Sequence, residues 1–174
     1  MPQRPPSFNE QLADCHQSAV HLEMRDVYGI AAEAGEFAAW KAGDDSSRRD
    51  GTGRRKAWLD TVRDATARGV EIRRARIVSE PVSEYIRFEH AGTALNIAAG
   101  EDVRWLPRRR ASDIALPGND FWLFDGRIVR FNHFSGDGAS GGPEVVTDPA
   151  VVDLCASAFE KVWERAVPHA DYQI

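Results

Sequence analysis

Hydrophobic positions along the chain change period several times, and each change marks an element. Behind Ser7 and Glu10, spaced as a capping box, Phe8, Leu12, Cys15 and Ala19 recur at helical intervals and predict a short amphipathic helix. Val20, Leu22, Met24 and Asp26 then alternate with His21, Glu23 and Arg25, which suits a half-buried strand, with helix as the alternative. The Ala-rich segment from Ile30 to Lys41, carrying Phe37 and Trp40, reads as a helix stopped at Gly43. Residues 43–53 hold no large apolar side chain and predict an exposed, flexible loop. Trp58, Val62 and Ala65 form the stripe of a helix that runs to Arg68 and closes at Gly69.

From Val70 to Val78 a β-branched run broken by arginines predicts a strand with one polar face. Ser79, Glu80 and Pro81 are expected to open a helix, with Pro81 near its first position and Val82, Tyr85, Ile86 and Glu89 at helical spacing. A second short helix follows from Thr93 to Ala99, then a strand from Val103 to Leu106 closed by Pro107, then a loop rich in arginine up to Asn119. Asp125 and Gly126 between Phe121 to Phe124 and Arg127 to Phe134 are a strong hairpin signal. Residues 135–143 read as a flexible Gly-rich loop. The last helix is the clearest: Asp148 as N-cap, Pro149 behind it, and Val152, Cys155, Phe159, Val162, Trp163 and Ala166 on one face. This order of elements predicts a single α/β domain over residues 1–174, with a mixed central sheet and helices on both faces.

Composition adds limits. A chain of 174 residues with 43% hydrophobic and 28% charged residues buries a substantial core without needing a disulfide framework. Cys15 and Cys155 stand apart from each other and from paired histidines, so they read as reduced, helix-borne packing residues, and neither metal nor cofactor is expected. No apolar run approaches the ~18 residues that cross a bilayer, and Met1 to Pro6 lacks the apolar core of a signal peptide, so a cytoplasmic protein without membrane contact is expected. Arginine clusters at 48–49, 54–56 (with Lys56), 73–76 and 108–110 offer an anion-binding face, but 27 acids against 22 bases weigh against direct nucleic-acid binding.

Candidate chemistry gathers in a few places. Arg76, Ser79, Glu80, Tyr85 and Arg87 follow a strand and open a helix, where free N–H groups can hold an anion. Arg104 and Trp105 offer a cation and a stacking surface at the end of the next strand, with burial of Trp105 in the core as the alternative. Asp120, Trp122 and Phe124 share one strand face, and Phe121, Leu123 and Asp125 the other, the pattern of a strand covered on both sides.

The stretches Arg76 to His90, Ala99 to Arg108 and Asn119 to Gly126, together with Leu22 to Tyr28 and Ala158 to Trp163, resemble an actinobacterial family of domains of unknown function, number 6879. That resemblance implies regulation by association, with a helix-turn-helix regulator as the protein partner. More distantly, the order of helix, strand and final strand is similar to one half of a phospholipase D-like domain. In that superfamily the final strand carries His-x-Lys followed by Asp; here it reads Asp120 to Asp125, without the nucleophilic His or the phosphate-holding Lys. The resemblance therefore implies a retained fold with its catalysis lost: a non-catalytic module binding a partner or a small anionic ligand. The competing expectation is a phosphodiesterase or phosphoryl-transfer enzyme using Asp120, Asp125 and His133.

Overall fold

The computed structural model describes residues 6–174; the Pro-rich start, residues 1–5, lies outside them. The capping box forms as expected, with Ser7 and Glu10 bonded reciprocally, and opens α1, Phe8–Ala13. The helix stops before Cys15, so Cys15 is not helix-borne as expected: it sits in the turn into β1, Ser18–Glu23. The alternation from Val20 resolves as strand because both faces of β1 are covered, so Val20 and Leu22 pack on one side and His21 and Glu23 line the other.

A single 3-10 turn leads into α2, Ala34–Lys41. The segment 43–53 is largely exposed, as expected, but Ser46–Asp50 within it form the short helix α3, and Arg48 is buried. Its guanidinium lies 3.4 Å from the centre of the Phe88 ring and pairs with Glu36 and Glu89, so a cation takes the anchoring role of the missing apolar side chain. Next come α4, Arg54–Ala67, and β2, Glu71–Val78, as expected. After β2 the chain departs twice from the expected pattern. Ser83, not Ser79, caps the next helix, accepting from Ile86 N, and Pro81 sits in the connection. And α5 runs unbroken over Glu84–Ala99, so Thr93 to Ala99 is no separate helix.

β3, Glu101–Pro107, precedes the hairpin of β4, Asp120–Phe124, and β5, Ile128–Phe134. Its turn has positive φ at both Asp125 (49°) and Gly126 (63°), the conformation that the two-residue hairpin demands. The Gly-rich segment 135–143 is only partly loop: β6, Ser140–Val146, pairs with β5 along one sheet edge. Finally α6, Pro149–Arg165, starts from the Asp148 cap as expected and leads to the short β7, Val167–Pro168, at the other edge.

These strands make one mixed sheet in the order β6-β5-β4-β1-β2-β3-β7, with β1, β2 and β3 parallel and the others antiparallel to their neighbours. The single α/β domain with helices on both faces is thus as expected. On one face α6 closes a continuous apolar core around Leu22, Ile77, Phe121 and Phe159. The opposite face is divided. One cluster under α1 and α4 holds Leu59, Val62 and Trp122, and a second under α5 holds Phe88, Trp105 and Tyr172. Between the two clusters the sheet surface is polar.

Candidate functional site

That polar strip is built by strand register. His21 of β1 lies beside Arg74 of β2 and Trp122 of β4, and one row further Glu23 lies beside Arg76. Side chains two apart on a strand share a face, so His21 and Glu23, Arg74 and Arg76, and Asp120 and Trp122 all point to the same side. They floor a cleft with two joined lobes. The wide lobe, 470 Å³, is walled by Phe8, Trp58, Arg54, Arg55, Glu33 and Asn96. The narrow lobe, 200 Å³, is walled by Tyr28, Tyr85, Asp120, Asn132 and Phe134.

The floor is a charge network. Glu23 takes Arg74 at 2.6 Å and Arg76 at 3.0 Å; Glu101 takes Arg74 at 2.8 Å; Glu89 takes Arg76 at 2.9 Å and Arg48 at 3.5 Å. Asn96 donates to Glu101 and accepts from Arg55, which also donates to the Gly92 carbonyl. Burial opposes the charge on Arg74 and Arg76, yet Glu101, Glu23 and Glu89 more than offset it and hold both above the usual arginine range. His21 is buried and stacked on Trp122 at 4.2 Å; burial, then Arg74 and Arg76, push it well below the usual histidine range, so it is neutral. Burial lifts Asp120 to about 6, against the hydrogen bond that Tyr28 donates to it.

Of the residues singled out from sequence, Arg76, Tyr85 and Asp120 meet in this cleft. The others do not join them. Ser79 donates both its N–H and its hydroxyl to Asp26 at 2.7 Å, and Arg108 donates to Ser79 at 3.0 Å, so an internal carboxylate occupies the place expected for an external anion. Glu80 accepts from the Tyr172 hydroxyl at 2.9 Å, away from the cleft, and Arg87 is exposed on α5. Arg104 lies on the α6 face of the sheet, 4.2 Å from the Trp163 ring centre, opposite to its expected partners. Trp105 is fully buried: it stacks on Tyr172 and donates to His169, so it has no face free for a ligand.

The three residues of the enzymatic alternative are separated as well. Asp120 and Asp125 sit at opposite ends of β4, and Asp125 accepts from the backbone N–H groups of His16, Gln17 and Ser18. His133 follows Asn132, the cross-strand partner of Asp120, so it points to the other side and pairs with Glu144 at 2.9 Å. Burial pushes the thiols of Cys15 and Cys155 up to about 11, which keeps both protonated and poorly nucleophilic.

Sequence reasoning missed His21, Glu23, Trp58 and Glu89, and reached Arg55 and Arg74 only as members of basic clusters. A signal was present: His21-x-Glu23 and Arg74-x-Arg76 are alternating polar pairs on two strands, and pairing those strands in parallel brings the polar faces together. The partners from α4 and α5 carry no such mark.

The buried His21 and the half-buried His90 and His169 fix a pH response. Burial, with Arg76 adding to it, lowers His90, and burial with His90 and Arg76 brings His169 down to about 4. Between pH ~6.5 and ~4 the unfolded chain therefore binds protons that the folded chain refuses, and stability falls as the pH drops through that window. Asp120 acts oppositely, since its folded carboxyl holds a proton up to about 6, but it is one group against three. The melting temperature is expected to fall by ~5 °C or more from pH 7 to pH 4.5, and less in His169→Gln. A flat profile in the wild type would refute the assignment of these histidines as neutral.

Among the described residues no helix is long and apolar enough to cross a membrane. No curated protein matches the sequence. Among solved structures the fold is similar to that of Nuc from Salmonella typhimurium, a phospholipase D family member, with a TM-score of 0.50 at 9% identity over 95% of this chain and 88% of that one. The likeness extends to architecture: a phospholipase D-like α/β fold. At the level of sequence the family model described as Domain of unknown function (DUF6879) matches residues 6–174, nearly the whole chain, and the protein belongs to that family.

Proposed function

We propose that the chain is a non-catalytic module that binds a small molecule in the two-lobed cleft and reports its presence to a protein partner. The observation that carries this reading is the buried charge network on the cleft floor. Taking ions out of water costs several kcal/mol each, and apolar residues of similar volume would stabilise the same sheet face as well or better. Such a network in a concave site lined by aromatic rings fits selection for a ligand. Binding is favoured over chemistry because the cleft presents a neutral, buried His21 and paired carboxylates rather than an activated nucleophile. The readout partner in this reading is a helix-turn-helix regulator sensing the short helices α2 and α3, whose Glu36 and Arg48 connect to the network through Glu89.

A thermal-shift screen of a library of small metabolites tests it. A ligand at ~100 times its Kd stabilises the folded state by ~2.7 kcal/mol and raises the melting temperature by several degrees. We expect such a compound, with its effect lost in Trp58→Leu and retained in Arg104→Ala on the opposite face. A library without any stabilising compound, or equal behaviour of the two variants, would overturn the proposal.

A further inference from the structure

We infer that the wide lobe takes a small organic anion bearing a planar ring, with its anionic group on Arg55 and its ring against Trp58 and Trp122. This deepens the reading of the cleft as a small-molecule site and rests on it.

The anion follows from how Arg55 is held. Arg54, Arg74 and Arg76 in the wide lobe each pair with a carboxylate, and so does Arg48 nearby. Arg55 has only neutral partners among the described residues, the Gly92 carbonyl and Asn96 Oδ1, and its buried Nε has none. The network around that lobe holds five arginines, Arg48, Arg54, Arg55, Arg74 and Arg76, and five glutamates, Glu23, Glu33, Glu36, Glu89 and Glu101, and each of these glutamates is already engaged by an arginine other than Arg55. Arg55 is thus the arginine of this network that no carboxylate contacts. Burial first, then Arg48, Arg76 and Arg74, with Glu89 opposing, bring this arginine down to about 10. An anion from solution relieves that repulsion.

The seat of Arg55 is also made for it. Gly92 lies in the middle of α5, where glycine costs roughly 1 kcal/mol relative to alanine. A Cβ there would come within 2.7 Å of Arg55 Nη2 and 2.9 Å of its Cζ, so the glycine makes room for the guanidinium. Arg55 stands in the first turn of α4, which has no side-chain cap and no acidic residue, so the positive end of the helix dipole adds to the same region.

The ring follows from the walls. Trp58 and Trp122 lie 5.9 Å apart at 59°, Phe8 packs against both, and His21 covers one face of the buried Trp122, which leaves Trp58 as the more open ring. A lobe of 470 Å³ lies within the ~300–1,000 Å³ range of small-molecule sites.

Titration calorimetry and tryptophan fluorescence on the full chain test this with indole-3-acetate and adenosine monophosphate, which separate a carboxylate from a phosphate. Indole and adenosine serve as neutral rings, and acetate and inorganic phosphate as anions without a ring. At least one ring-bearing anion is expected to quench fluorescence and to bind roughly tenfold or more tighter than its neutral counterpart. That advantage is expected to vanish in Arg55→Gln and in Gly92→Ala; should Gly92→Ala fail to fold, Arg55→Gln carries the test. If neutral rings bind as tightly as the anions, or Arg55→Gln keeps the preference, the anion assignment falls while the cleft remains a small-molecule site. If acetate or phosphate binds as tightly as the ring-bearing anions, the ring assignment falls. If no ring compound binds at millimolar concentration, the inference falls, and the reading beneath it falls only if the metabolite library also yields no stabilising compound.

Discussion

Glu101→Ala is expected to destabilise the protein by ~3–5 kcal/mol, the cost of removing one partner from a buried ion pair. The Glu101 side chain is fully buried and accepts from Arg74 Nε at 3.2 Å and Nη2 at 2.8 Å, and from Asn96. Without it, Arg74 stays buried with Glu23 as its remaining carboxylate, and Asn96 loses the acceptor that orients it toward Arg55. Chemical denaturation measures the loss. The double variant Arg74→Met with Glu101→Leu is expected to recover most of it, because apolar replacement of a whole buried pair is often neutral or stabilising. The same double variant should no longer bind the ring-bearing anion. If Glu101→Ala costs less than ~1 kcal/mol, or the double variant is no more stable than the single one, Glu101 is not needed to compensate the buried charge of Arg74.

Trp105→Ala is expected to cost a similar ~3–5 kcal/mol through a different mechanism, the cavity left by a large buried side chain. Trp105 stacks on Tyr172 with centroids 5.6 Å apart, donates to His169 Nδ1 at 3.1 Å and lies 5.1 Å from the Arg76 guanidinium. Its removal frees residues 167–172 from the edge of the sheet, where the Tyr172 carbonyl also meets His90 at 3.2 Å. Denaturant unfolding gives the energy, and faster amide exchange at Tyr172 reports release of the segment. Full stability with loss of ligand binding would return Trp105 to the role of a stacking surface.

Much of the architecture was legible because local patterns and tertiary packing agree. The α6 stripe from Val152 to Ala166 meets a continuous apolar face, the Asp125-Gly126 turn has the positive φ its residues favour, and the capping box at Ser7 forms as spaced. Where local patterns misled, a distant partner outweighed them. Ser79 had the look of a helix cap, but Asp26, 53 positions away, takes its hydrogen bonds, and Ser83 takes over the cap. Arg48, in a stretch without large apolar residues, is buried because Phe88 and two glutamates receive it. The Gly-rich stretch after β5 supplies an edge strand because β5 offers it an unpaired backbone.

The site was less legible than the fold. Arg76, Tyr85 and Asp120 were singled out for the residues around them, yet they meet for a reason no local pattern contains, the register of β1 with β2 and β4. Period and punctuation along the chain assign the helices, the strands and the hairpin, since each depends on neighbours a few residues away. Arg104 and Trp105 illustrate the remainder: adjacent in the chain, they project to opposite faces, and only the elements packed on each face put one against Trp163 of α6 and the other in the core under α5. Which arginine finds a carboxylate and which is left with a carbonyl depends on α4 and α5 meeting across the sheet. Electrostatic pairing acts through space over a few ångströms, whereas sequence order fixes distance only along the chain.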